Sequence, residues 1–189
     1  MKNKKTIQDC EKKRDSNEEI ILFGYRMIFF KFINFMLFFL ISFLFKAVDI
    51  FFGFVIVYIP LRKYSGGYHA GSIRKCTFLG MIVYSMLVIT LKLDILLDRM
   101  LVIILLWFIA GIIIFASSPV ESKTKPLSQN DIFCFKKKTR LIYLIEVLCS
   151  LILLIFKVKY FLLIIMVHIV IAASLSTELL IRKAVHNKQ

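Results

Sequence analysis

Acidic residues are scarce in this chain: 12 Asp and Glu stand against 26 Lys and Arg in 189 residues, a formal net charge of +14. So basic a sequence invites a nucleic-acid reading, but no aromatic-basic module or binding fold accompanies the charge, so no nucleic-acid partner is expected. Cysteine is present only at Cys10, Cys76, Cys134 and Cys149, with no Cys-x-x-Cys pair. His69 and Cys76 would supply only two metal ligands, so neither a metal nor another cofactor is expected. No repeat of solenoid period occurs, and no low-complexity run apart from the apolar bias. No small-residue cleavage site follows the first apolar run, so a removable signal peptide is not expected.

What the chain has in excess is apolar surface. It is 59% hydrophobic, with 19 Phe and a mean hydropathy of +0.81, more than a soluble domain of this size would bury. Several apolar stretches reach the roughly 15 to 20 residues that cross a hydrocarbon core. Spans are expected near 28–45, 47–61, 77–91, 100–116, 141–156 and 160–177. The stretches 47–61 and 77–91 are short, which suits tilted or partly re-entrant helices that rely on their neighbours for burial. The expected fold is all-α: one integral membrane domain over 1–189, with about six transmembrane or partly re-entrant helices. Residues 1–27 form a cytoplasmic and interfacial N-terminal segment. Within 17–31, Glu18, Glu19, Arg26 and Lys31 lie among apolar residues, as in a helix resting in the membrane interface.

The basic residues sort by membrane side. With both termini cytoplasmic and six crossings, the inner segments 1–31, 61–76, 118–140 and 178–189 hold 8, 4, 6 and 3 of the Lys and Arg residues. Lys46, Lys92, Arg99, Lys157 and Lys159 remain outside, so the positive-inside rule accounts for most of the charge. A basic inner surface also attracts anionic lipid or an acidic peptide. The loop 61–76 and the basic loop 117–140 fall on the same face in this topology, which makes both candidates for one site.

The stretch Arg62 to Cys76, RKYSGGYHAGSIRKC, concentrates the chemistry. Three of the four cysteines fall on the reducing side and Cys149 lies within a span, so a disulfide framework is not expected. Cys149 is flanked by apolar residues and reads as a packed thiol. Cys10 lies in a charged tail, and Cys134 has no histidine near it in sequence. Cys76 follows Arg74 and Lys75 and opens an apolar span, so neighbouring charge and a helix N-terminus both favour its thiolate. A free thiol, with a pKa of about 8.5, is mostly protonated at neutral pH.

His69 could take the thiol proton and return it to a leaving amine. A continuous helix would put residues 69 and 76 on one face but about 10.5 Å apart along the axis, so the chain must bend between them. Gly66, Gly67 and Gly71 permit a turn, and Ser72 could cap a helix beginning near 73 with Cys76 in its first turn. The competing account is an interfacial histidine, a packed thiol and a glycine turn without chemistry.

The motif Arg62-x-x-Ser65-Gly66-Gly67-Tyr68-His69-Ala70, followed by Cys76, resembles that of the accessory gene regulator B family, the membrane cysteine endopeptidases that mature quorum-sensing peptides. Glu19, Phe23-Gly24-Tyr25, Ser118-Pro119-Val120-Glu121, Lys123, Lys125 and Pro126 extend the resemblance over most of the chain. It implies a catalytic pair of His69 and Cys76. It also implies that Arg62, Gly66, Gly67, Glu121, Lys123 and Lys125 act on the substrate side. Ser122 and Thr124 interrupt the family's basic cluster here. The implied partners are a small pro-peptide with an acidic C-terminal tail, the lipid bilayer and a second copy in a homodimer. The implied reaction is cleavage through a Cys76 acyl-enzyme, then cyclisation to a thiolactone or lactone.

No third group for His69 appears in the motif, and Glu121 and Glu146 are both candidates. Glu146 could equally reach out toward Lys136, Lys137 or Arg140. His168 is expected to make a polar packing contact with no carboxylate near it, and Asp49 to pair with Lys46. The alternative function is a transporter exporting a peptide or small solute, with the His/Cys loop as a hinge. It would need such intramembrane groups to line one path.

Overall fold

The computed structural model describes residues 2–68, 72–93, 97–120, 129–156 and 158–186. They form six helices, α1 (Lys2–Leu44), α2 (Val48–Ser65), α3 (Ile73–Lys92), α4 (Met100–Ser117), α5 (Gln129–Phe156) and α6 (Val158–His186), with a 3-10 turn over Leu97–Arg99. No β-strand occurs among the described residues, and one isolated parallel bridge joins Gly66 to Val120. The chain is an all-α polytopic membrane protein.

Five helices are long and apolar enough to cross a bilayer: Gly24–Leu44, Arg74–Lys92, Met100–Ser117, Gln129–Phe156 and Lys159–Ala184. The sixth, α2, carries Asp49 near its start and Arg62 and Lys63 near its end, which leaves a short apolar stretch between them. Its 18 residues still extend about 27 Å. Residues 17–31, read from sequence as interfacial, lie in α1, which continues without a break into the first span. The basic stretch 129–140 is helical too and belongs to α5.

By its contacts the chain divides into Met1–Phe38 and Phe39–Gln189. The first unit is the N-terminal part of α1. The second is built around α6, which packs on α2, α3, α4 and α5. Phe161, Leu162, Leu163, Ile164, Ile165, Val167, Ile171 and Leu175 are all buried. A helix apolar on all sides belongs at the centre of a bundle, and 56% of the α6 span is buried against 17% for α5.

Three contacts fix the direction of α2 against α6. Asp49 receives hydrogen bonds from Lys159 Nζ at 2.9 Å and Tyr160 Oη at 3.2 Å. A Cβ placed on Gly53 would lie 2.5 Å from Leu163 Cδ2, so these backbones approach closely. Further along, Arg62 reaches Ser174. Residue numbers rise together on both helices, so α2 and α6 run parallel over the same depth. The C-terminal end of α2, the residues 118–120 after α4 and the C-terminal part of α6 gather at one end. Asp49 pairs with Lys159 instead of the expected Lys46 because α6 places an ammonium beside it, a neighbour with no trace in local sequence.

His168 makes the expected polar packing contact, but with a carboxylate beside it that was not expected. Fully buried on α6, it lies 2.9 Å from Glu146 Oε2 on α5 and accepts a 2.9 Å hydrogen bond from Trp107 Nε1 on α4. The indole N–H can only donate, so His168 Nδ1 must be the acceptor and Nε2–H must donate to Glu146. The imidazole is accordingly neutral. This chain of hydrogen bonds ties three helices together across 22 and 61 residues of sequence.

Candidate functional site

At the end where α2 exits, Gly66 and Gly67 have φ of 74° and 117°, backbone regions that side chains disfavour and glycine adopts freely. Space imposes the same requirement. A Cβ on Gly66 would collide with the Val120 carbonyl oxygen, and one on Gly67 with an Arg62 terminal nitrogen. The Val120 N–H donates to the Ser65 carbonyl at 2.9 Å, so the segment after α4 is laced to this turn.

The Arg62 guanidinium holds the turn from within. Nη1 donates to the Gly66 carbonyl at 2.5 Å and to Ser174 Oγ at 2.8 Å, and Nη2 donates to the Tyr68 carbonyl at 2.6 Å. The Tyr68 N–H is directed at the Ser174 carbonyl, 3.1 Å away, and at Ser174 Oγ, 3.2 Å away. Tyr68, the last described residue before position 69, is thus held at both its N–H and its carbonyl. The planar fork of arginine can span three separate acceptors where a point-like ammonium cannot.

The chain resumes at Ser72, whose side chain accepts the Lys75 N–H at 3.3 Å and caps α3. The expected cap and helix start are therefore found. Cys76 lies in the first turn of α3, exposed and with a free thiol. Its N–H donates to the Ser72 carbonyl at 3.1 Å, so this N–H is engaged in the helix and is not a spare oxyanion donor. Cys76 and Arg62 both lie within electrostatic range of the Tyr58 hydroxyl on α2.

Basic residues crowd this end. Lys63 and Lys138 place their ammonium groups 5.4 and 5.3 Å from the Tyr64 ring centroid, and Tyr64 meets Phe135 edge-on at 5.6 Å. Arg140 lies over the Phe115 ring at 4.3 Å. Cation–π contact keeps these charges at the surface while their stems cover apolar area.

Of the residues singled out from sequence, Arg62, Gly66 and Gly67 come together with Tyr68. Cys76 stands at the head of α3. His69, Glu121, Lys123 and Lys125 lie outside the described residues. Glu146 is engaged with His168 within the bundle. Ser174 and Tyr58 escaped sequence reading. The signal for Ser174 is a small polar residue after Ala172 and Ala173 in a mainly apolar span.

These features define a multi-pass helical membrane protein with an accessible thiol at a helix N-terminus beside an anchored glycine turn. The profile of the family described as accessory gene regulator B matches residues 2–177, nearly the whole chain. The chain belongs to this family, whose members process autoinducer peptides for quorum sensing. Comparisons with curated proteins and with solved structures gave no match.

Proposed function

We propose that this protein is a membrane cysteine endopeptidase that cleaves a small precursor peptide through Cys76 and passes the acyl group to an internal nucleophile of the peptide. The observation that carries this reading is the pair of anchors around positions 69–71: Tyr68 fixed by Arg62 and Ser174, and Ser72 fixed as the cap of the helix that presents Cys76. A short connection held at both ends is how a fold limits the reach of a histidine toward a thiol.

In the first step the His69 imidazole takes the Cys76 proton and the sulfur attacks the scissile carbonyl carbon. A C–S bond forms and the C–N bond breaks. The released amine takes the proton from His69, and the C-terminal tail departs. A thiol or hydroxyl within the remaining segment then attacks the thioester. The new ring bond forms, the bond to Cys76 breaks and the proton returns to the Cys76 sulfur. Exchange of one thioester for another is close to balanced, so departure of tail or product draws the reaction forward. Water must be limited, because hydrolysis competes. In the first turn of α3, Ser72 engages the Lys75 and Cys76 N–H groups. The Ile73 and Arg74 N–H groups have no intrahelical acceptor and are the best placed to stabilise an oxyanion.

The basic end faces the cytoplasm in this reading, since Arg62, Lys63, Arg74, Lys75, Lys136, Lys137, Lys138, Arg140, Arg182 and Lys183 gather there. An acidic peptide tail on the inner leaflet would be drawn to it. Arg62 acts mainly on its own loop, with Lys63 and Lys138 more available to substrate. Transport has less support: Asp49 is tied to Lys159, and His168 lies about 13.5 Å further along α6 in a closed network with Glu146 and Trp107.

The test is cleavage of a small peptide with an internal Cys or Ser and an acidic tail, sought in a reading frame beside the one for this protein. Cys76→Ala and His69→Ala should each abolish cleavage while the peptide still binds. Unchanged cleavage by Cys76→Ala would remove the reading.

A further inference from the structure

We infer that Ser174, on the last helix and far from the loop in sequence, is a positioning residue for the His69–Cys76 pair. The inference rests on the peptidase reading and adds a component from outside its motif. Ser174 meets the loop at two points. Its hydroxyl oxygen accepts from Arg62 Nη1 at 2.8 Å and stands 3.2 Å from the Tyr68 nitrogen, and its carbonyl accepts the Tyr68 N–H at 3.1 Å. Arg62 Nη2 completes the ring by donating to the Tyr68 carbonyl at 2.6 Å.

The consequence lies in covalent geometry. Tyr68 is bonded directly to His69, so the direction of the Tyr68 peptide sets where the histidine backbone starts. Both polar groups of Tyr68 and the guanidinium that holds one of them depend on Ser174. Its helix is the most buried of the spans, which makes it a rigid reference for a loop lying at the bundle end. A Cβ on Gly67 would also come within 3.0 Å of Ser174 Oγ, so loop and helix are in close contact with little free space.

Removing the hydroxyl leaves Arg62 Nη1 with only the Gly66 carbonyl and lets the guanidinium drift from Tyr68. His69 then meets the thiol less often, while residues that touch substrate are unchanged. Ser174 touches no reacting atom in this account, and its effect runs through Arg62 and Tyr68.

The experiment needs no substrate. In a Cys10→Ser, Cys149→Ser background, full-length protein in native membranes is treated with iodoacetamide at pH 6.5, and alkylation of Cys76 is read against Cys134 in the same chain by mass spectrometry. Cys134 is exposed and takes no part in the hydrogen bonds that join Ser174, Arg62 and Tyr68, so it corrects for the amount of inserted protein. Only the thiolate is alkylated, so loss of the histidine partner should lower the Cys76 ratio about tenfold or more. His69→Ala should show that loss and Ser174→Val a similar one. Ser174→Thr, which matches valine in shape and restores the hydroxyl, should return the ratio to the wild-type level. Because threonine and valine perturb packing alike, their difference reports the hydroxyl even if both variants are less stable. Equal ratios for the valine and threonine variants would overturn the role of Ser174 while leaving the pair intact, provided His69→Ala lowers the ratio. No change on His69→Ala would instead overturn the peptidase reading itself.

Discussion

His168 donates a hydrogen bond to Glu146 at 2.9 Å in the interior of the helical bundle, and Trp107 donates to the other ring nitrogen. Glu146 is therefore engaged within the bundle through His168. His168→Phe should leave the carboxyl and the indole N–H without partners and destabilise the protein by several kcal/mol, at about 1–3 kcal/mol for each orphaned group. Glu146→Gln keeps an acceptor for the His168 N–H and should cost much less. Thermal unfolding in detergent reads the difference. Precursor cleavage by Glu146→Gln should stay close to wild type, whereas a loss as large as that of His69→Ala would make Glu146 the third, orienting group for His69.

Gly67 should not tolerate a side chain. With φ of 117° and an Arg62 nitrogen where the Cβ would lie, Gly67→Ala meets backbone strain of about 1–3 kcal/mol and pushes the guanidinium away. Cleavage should fall severely while the protein still reaches the membrane. Gly24→Ala is the control, because nothing lies within 4 Å of a Cβ there.

Arg62→Lys separates two roles that sequence alone cannot distinguish. If the guanidinium holds the loop, a lysine cannot span the Gly66, Tyr68 and Ser174 oxygens, and kcat should drop with KM little changed. A rise in KM at constant kcat would mean that Arg62 binds substrate directly.

Ser72→Ala removes the side-chain acceptor for the Lys75 N–H at the start of α3, a cap worth about 1 kcal/mol. Hydrogen exchange at Lys75 and Cys76 should accelerate and cleavage should weaken, and Ser72→Asp should restore both. Unchanged exchange would show that the cap does not hold the turn carrying the thiol.

The parts legible in sequence were those written locally. Apolar runs marked α2, α3 and α4 to within a few residues but only the C-terminal part of α1, and Ser72 announced the start of α3. The helical stretch before residue 141 was hidden because lysines and an arginine raise the polarity of a segment without breaking a helix. Pairings were hidden for a different reason. Asp49 meets Lys159 across 110 residues and Arg62 meets Ser174 across 112, and neither partner could be chosen before α2 and α6 were known to run parallel. The glycine pair was recognised as a turn from its composition, yet the cause of its tightness, the Val120 carbonyl and the Arg62 guanidinium, comes from packing.

The most direct test of the account is the intact mass of the purified protein, rapidly quenched in acid after mixing with its precursor peptide. A covalent species heavier by the mass of the N-terminal precursor segment, localised to Cys76 and lost in Cys76→Ala, is the predicted result. Cleavage that proceeds without an adduct and survives Cys76→Ala would contradict it.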